Sequence, residues 1–184
     1  MKIPLDIGLE ESLGRIILHS FHYSESKKKI RPEAFIPSPH EIDEISVLRY
    51  EYTNANFCKI RGLIIAERRN TPANPCKFVG VAFLYNKEVN GISETSEDCS
   101  CRAIATPLDE NDKLRVTGDT ILITDAGVPM HADLKYSFEV VQDKPISQIA
   151  KSKIIKNFCG IAQNRFFKDV DLENKNWVGE PINL

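Results

Sequence analysis

The sequence predicts an α+β fold: a largely antiparallel central sheet flanked by N- and C-terminal helices. Three observations carry this. Phe78 to Tyr85 is a continuous apolar run of strand length, bounded by turn residues. Ala132 to Val141 alternates, with Leu134, Tyr136, Phe138 and Val140 set against Asp133, Lys135, Ser137 and Glu139, the pattern of a strand with one face in water. After Pro145, a favoured first-turn residue, Ile146, Ile149, Ile154, Ile155, Phe158 and Ile161 form an apolar face at helical spacing.

The remaining elements follow in chain order. Leu9 to Leu18 places Leu13, Ile16, Ile17 and Leu18 near helical spacing, with Glu10 and Glu11 favourable at a helix N-terminus and Gly14 unfavourable inside it. Ser20 to Pro39 is polar and broken by Pro32, Pro37 and Pro39. It reads as a long loop anchored by Ala34-Phe35-Ile36. Ile45 to Tyr50 alternates as a strand. Thr53 is placed to cap a helix through Phe57, Cys58 and Ile60, with Gly62 at its C′ position. Leu63 to Ala66 is a strand or a continuation of that helix, and Arg68 to Pro75 reads as a loop. Asn86 to Ser100, with Asn90-Gly91, reads as a turn or loop. Strand-like stretches follow at Arg102–Ala105, Lys113–Val116 and Asp119–Thr124. No internal repeat or low-complexity tract is visible.

The chain has 184 residues. At roughly 150 residues per domain that is one α+β domain, drawn here at 1–168, with a polar tail at 169–184 that packs through Trp177 or stays loose. The 42% hydrophobic content excludes a wholly disordered chain. No apolar run reaches the ~18 residues of a membrane span, and the N-terminus lacks the apolar core of a secretory signal. The expectation is a soluble, cytoplasmic protein. A net charge of −2 argues against a surface devoted to polyanions. The five cysteines, Cys58, Cys76, Cys99, Cys101 and Cys159, show no CxxC spacing and read as reduced thiols. A redox or metal role for Cys99 and Cys101 stays open.

Local basic clusters remain: Lys27, Lys28, Lys29 and Arg31, then Lys59 with Arg61, then Arg68-Arg69, then Lys151, Lys153 and Lys156. Each is a solvated face or an anion contact. His19 and His22 form an H-x-x-H pair that a helix would place on one face, to share a metal, to act as an acid/base pair, or as rings bonded in a loop. His131 enters the long strand, and Asp133 shares its face there. That makes His131 either a general base or a turn residue. Arg49, on a strand, pairs with a carboxylate or offers a fork to phosphate. Walker A, G-x-G-x-x-G, G-x-S-x-G, kinase and EF-hand signatures are absent, and neither a cofactor nor a metal site is expected.

His19-Ser20-Phe21-His22, Ile30 to Pro37 with its Ala34-Phe35, Ser46-Val47 within Ile45 to Arg49, and Pro129-Met130-His131-Ala132 occur in an order that resembles a set of small uncharacterised bacterial proteins. Ser20 departs from it, since Pro is frequent there. The resemblance covers about a quarter of the chain. It implies a bacterial, soluble protein in which His19, Ala34-Phe35, Ser46 and His131 belong to one assembled region, and it implies no activity.

Two functions are consistent with these residues. The first is an accessory or interaction protein, a subunit of a larger complex with a protein partner, presenting Arg31–Pro39 and the Asn86–Ser100 segment. The second is a metal-independent phosphodiester hydrolase or transferase acting on RNA or a nucleotide. In it His19 or His22 is the acid, His131 the base, and Arg49 or a lysine the charge stabiliser. A third reading is single-stranded nucleic-acid binding by Phe21, Tyr23, Tyr50 and Tyr52 among Lys27–Arg31 and Arg49.

Overall fold

The structure, a computed structural model, describes residues 1–37, 44–94, 99–115, 120–137, 153–171 and 173–184. Six strands form one sheet in which every neighbouring pair is antiparallel. Its order is β6 (Ser100–Ala105), β7 (His131–Ser137), β4 (Glu44–Arg49), β1 (Ser12–His19), β5 (Lys77–Tyr85) and β8 (Phe166–Lys168). A hairpin of β2 (Tyr23–Ser24) and β3 (Lys29–Ile30) stands apart, and a 3-10 turn follows at Pro32–Phe35. Among the described residues the helices are α1 (Ala55–Arg69), α2 (Asn86–Glu94) and α3 (Lys153–Asn164). The α+β architecture predicted from the sequence is the one observed.

Several elements differ from the sequence reading. Leu9–Leu18 is not a helix; Ser12–His19 is strand β1, between β4 and β5. A strand covered on both faces carries a nearly continuous apolar run, which imitates helical spacing over so short a length. Asn86–Glu94 is helix α2 rather than a loop. The helix begun near Thr53 is capped instead by Asn54, whose side chain accepts from the Phe57 N–H, and it runs on to Arg69. Gly62 therefore lies inside α1. A Cβ there would come within 2.2 Å of the Phe78 ring, so the glycine permits close approach of helix and sheet. Lys113–Val116 and Asp119–Thr124 contribute only isolated bridges, Leu108 to Leu114 and Lys2 to Leu122, among the described residues. The half-wet alternation of β7 is confined to its end, since His131 to Leu134 are all buried. Phe138–Val141, Pro145 and Lys151 lie outside the described residues. Within α3, Ile154, Ile155 and Phe158 are buried as expected.

Two apolar layers sandwich the sheet. On one face Leu13, Ile17, Val47 and Leu134 pack with Phe35, Val89 and Phe158, and the Tyr136 hydroxyl donates to the Phe35 carbonyl. On the other, Ile16, Leu48, Phe78 and Phe83 meet Cys58 and Ala66 of α1. Cys58, Gly62 and Ala66 recur every four residues and define the buried face of α1.

The pairing of β1 is lopsided. All eight of its residues pair with β5, but only Leu13 and Gly14 pair with β4. Beyond that point Arg15–Leu18 and Ser46–Val47 face each other without a ladder, and backbone groups left this way need other partners. Arg15 supplies some: its Nε donates to the Ala34 carbonyl and its Nη1 to the Ser46 carbonyl, both at 2.8 Å. One guanidinium thus ties the proline-rich segment and β4 to β1.

Candidate functional site

The unzipped stretch between β1 and β4 opens into a cleft of about 270 Å³, roofed by α1. Arg61, Ile65, Arg68 and Arg69 line it from the helix. Their spacing is i, i+4, i+7 and i+8, so consecutive turns carry them along one face opposite neither sheet nor bulk water alone. Arg15, Ser46, His22, His131, Leu108 and Asp112 line it from the sheet side. Four guanidinium groups against one carboxylate make this cleft strongly positive.

Asp112 sits in the turn that follows Leu108, at φ 60. It accepts from Arg61 Nη2 at 2.6 Å and also from Arg68 Nη1. Burial raises its carboxyl pKa, but the hydrogen bonds from Arg68 and Arg61 outweigh burial and hold it below the ordinary value. Gly127, at φ 92, is required beneath this turn: a Cβ there would stand 2.3 Å from the Asp109 backbone. Leu108 also exchanges backbone hydrogen bonds with Val128. Among the described residues, Arg69 has no ion-pair partner.

The two histidines of the cleft differ in tautomer and role. His22 Nδ1 accepts from the Leu18 N–H at 3.3 Å, and the His22 N–H donates to the Leu18 carbonyl at 2.7 Å. His22 thus replaces the missing strand partner of β1. Burial, then the positive charges of Arg15 and Arg69, push its imidazole well below the ordinary value, opposed by the Ile16 carbonyl. It is a neutral ring sewn into a strand edge. His131 Nδ1 lies 2.9 Å from the Thr106 carbonyl, which can only accept, so the proton sits on Nδ1. The lone pair is on Nε2, 3.8 Å from Asp133 Oδ1. Thr106 Oγ1 donates to Asp133 Oδ2 at 2.7 Å and fixes that carboxylate. Burial lowers the His131 pKa more than Asp133 and the Thr106 carbonyl raise it. His131 is therefore an oriented base, and Asp133 stands where the imidazolium would form.

The depressed His22 pKa fixes a pH dependence. In the unfolded chain a histidine takes up a proton near 6.5; in the fold His22 resists it. Unfolded chains then bind more protons, so stability is complete above about pH 6.5 and falls as pH drops from there through the lowered folded pKa, by up to ~1.4 kcal/mol per pH unit. Urea unfolding at pH 7.5 and pH 5.5 will show this loss. His22→Gln, which cannot titrate, is expected to flatten the slope, leaving only the smaller same-signed contribution of His131. An unchanged slope in the variant would contradict the assignment.

The other sequence candidates lie elsewhere. His19 ends β1, half-buried, and does not line the cleft. The helical face that would have joined it to His22 does not exist. Arg49 is buried, and its Nε and Nη2 meet both Glu11 oxygens at 2.7 and 2.8 Å. It also donates to the Pro4 and Asp6 carbonyls, and it lies 4.8 Å from the Tyr52 ring centre. Its fork is filled by the protein itself. Lys27, Lys28, Lys29 and Arg31 are exposed on and beside the β2–β3 hairpin, away from the cleft lining. Lys28 pairs with Glu25 at 3.1 Å, and Arg31 donates to the Ser20 carbonyl. Tyr23 packs on Phe166 and Tyr50 on Phe83, so these rings serve the core. Cys99 and Cys101 are both buried, and burial raises the thiol pKa of Cys101 and takes that of Cys58 to about 12. No group of three His, Cys, Asp or Glu residues is placed to hold a metal among the described residues.

Fold and site together define an α+β protein with an arginine-lined cleft and an oriented histidine at its wall. Comparison of the chain with protein-family models, with curated proteins and with solved structures found no match. Among the described residues no helix is long and apolar enough to cross a membrane.

Proposed function

We propose that this cleft binds a phosphate ester, and that His131 acts on it as general base in a phosphodiester hydrolysis or transfer on RNA or a nucleotide. What carries the reading is that Arg15, Arg61, Arg68, Arg69 and His131 line one cavity. Arginine forks match phosphate oxygens, and fixed cations stabilise the charge that builds on them during displacement. His131 Nε2 takes the proton of the attacking hydroxyl, the phosphorus–oxygen bond to the leaving group breaks, and the departing oxygen is protonated by water at the cleft mouth. Neutral His22 holds the wall of β1 and takes no proton in this scheme. We place the protein in a bacterial cytoplasm: the five cysteines stand as free thiols, the condition of a reducing compartment, and the bacterial source rests on the sequence resemblance.

The test is cleavage of a short RNA and of a 2′,3′-cyclic nucleotide in the presence of a chelator. Arg69→Ala removes an exposed cation that nothing in the described fold uses. It is expected to raise KM by about 10- to 100-fold, the worth of one charge-assisted hydrogen bond, with the melting temperature unchanged. Phosphate-ester binding without turnover would overturn the catalytic part and return the chain to the accessory-subunit reading. Failure to bind as well would overturn the site.

A further inference from the structure

A second cavity, of about 420 Å³, adjoins the first. Ser46, Leu108, Asp112 and His131 line both, so His131 stands at the junction. The two ends carry opposite charge. The first has four arginines; the second has Glu44, Asp112 and Asp133 against the single ammonium of Lys135. Glu44 lies directly across the β4–β7 ladder from Lys135, which offsets part of its charge, and Asp112 is already paired with Arg61 and Arg68, so Asp133 sets the sign. Ile104, Leu108 and Leu114 add apolar surface, and Ser46 and Thr106 add hydroxyls.

This polarity selects a ligand. A second phosphate is repelled from the acidic end, so neither a polyphosphate nor a continuous strand threading both cavities fits. A bare sugar would leave the apolar side chains without a partner. A nucleobase has an apolar face, and an exocyclic amine donates to carboxylates as cytosine N4 does to Asp or Glu. We propose that the second cavity holds the nucleoside of a single nucleotide, with an amine-bearing base at Glu44 and Asp133 and its phosphate carried across His131 to the arginines. The proposal rests on the phosphate-ester reading of the first cavity and adds the substrate class. Crossing the junction brings the scissile group to His131 Nε2, which carries the lone pair.

Calorimetric titration of the full chain with inorganic phosphate, cytidine monophosphate and uridine monophosphate tests it. The two nucleotides differ chiefly at position 4 of the base, an amine against a carbonyl. Cytidine monophosphate is expected to bind at least ~10-fold more tightly than uridine monophosphate and than phosphate alone, because the uracil carbonyl sets an acceptor against the Asp133 carboxylate where the cytosine amine donates. Ile104→Phe, which fills the second cavity without altering charge, is expected to bring cytidine monophosphate down to the affinity of phosphate while leaving phosphate binding unchanged. Equal affinities for all three ligands, with phosphate bound, would overturn this inference and spare the phosphate-ester reading. Preference for uridine would also overturn it. No binding of any of the three would overturn both.

Discussion

Replacing Lys59 with methionine is expected to lower stability by about 3–5 kcal/mol, the cost of leaving a buried charge without its partner. Lys59 and Asp169 have fully buried side chains, with Nζ 2.7 Å from Oδ2. The geometry is that of an ion pair rather than an aligned hydrogen bond, since Oδ2 has no hydrogen-bond donor. Lys59 Nζ also donates to the carbonyls of Asp171 and Asn176, at 2.6 and 2.7 Å. Three oxygens from the C-terminal segment, two carbonyls and one carboxylate, therefore converge on one ammonium carried by α1. The same segment is held by Trp177, whose backbone N–H donates to Asn56 Oδ1 and whose ring meets Phe78 edge-on at 6.4 Å. Methionine fills the volume but leaves Asp169 without its cation and two carbonyls unpaired. For a chain of this size the loss is expected to lower the melting temperature by about 10 °C. Limited proteolysis should then cut within 169–184 before the rest of the chain opens. Adding Asp169→Leu should restore only part of the stability, because the carbonyls stay unpaired. A Lys59→Met protein that unfolds like the wild type would show that the pair contributes nothing beyond packing.

Lys59 also marks the boundary of what the sequence makes legible. Strands β4, β5, β6 and β7 announce themselves by apolar runs or alternation, because each is read from neighbours in sequence. The central strand β1 does not, since burial on both faces erases the alternation that separates strand from helix. Gly62 was legible as glycine but not as the contact point under Phe78; only the sheet across from α1 decides whether a glycine ends a helix or lets one approach. With Leu63 to Ala66 open between strand and helix, and Arg68 to Pro75 read as a loop, the cleft stayed hidden. With the helix stopped at Gly62, Arg61, Arg68 and Arg69 fall into two unrelated clusters. With the helix continued to Arg69, their spacing puts them on one face, and the signal was present in the sequence all along. His131 with Asp133 was legible from strand parity alone. Arg49 with Glu11, and Arg15 with Ala34 and Ser46, were not, because the partners lie 19 to 38 residues away and are set by topology.

The His131→Ala substitution is expected to lower kcat/KM on a phosphodiester by about 10²–10⁴-fold, the usual worth of a positioned base. Thr106 accepts at Nδ1 and so exposes the Nε2 lone pair, and Thr106 also orients Asp133 against the imidazolium. Because burial lowers the His131 pKa below its ordinary value, the base form is already complete at neutral pH. The activity of the wild type should rise with pH through that lowered pKa and level off before pH 7. The acid limb should vanish in His131→Ala. Asp133→Asn removes the charge that raises the His131 pKa, so the limb should move to lower pH while the plateau falls, since the imidazolium loses its counter-charge. A residue that merely packed the end of β7 would change stability and leave the position of the limb alone. Movement of the limb in Asp133→Asn, with the fold intact, therefore separates a catalytic imidazole from a structural one, and an unmoved limb assigns the titration to another group.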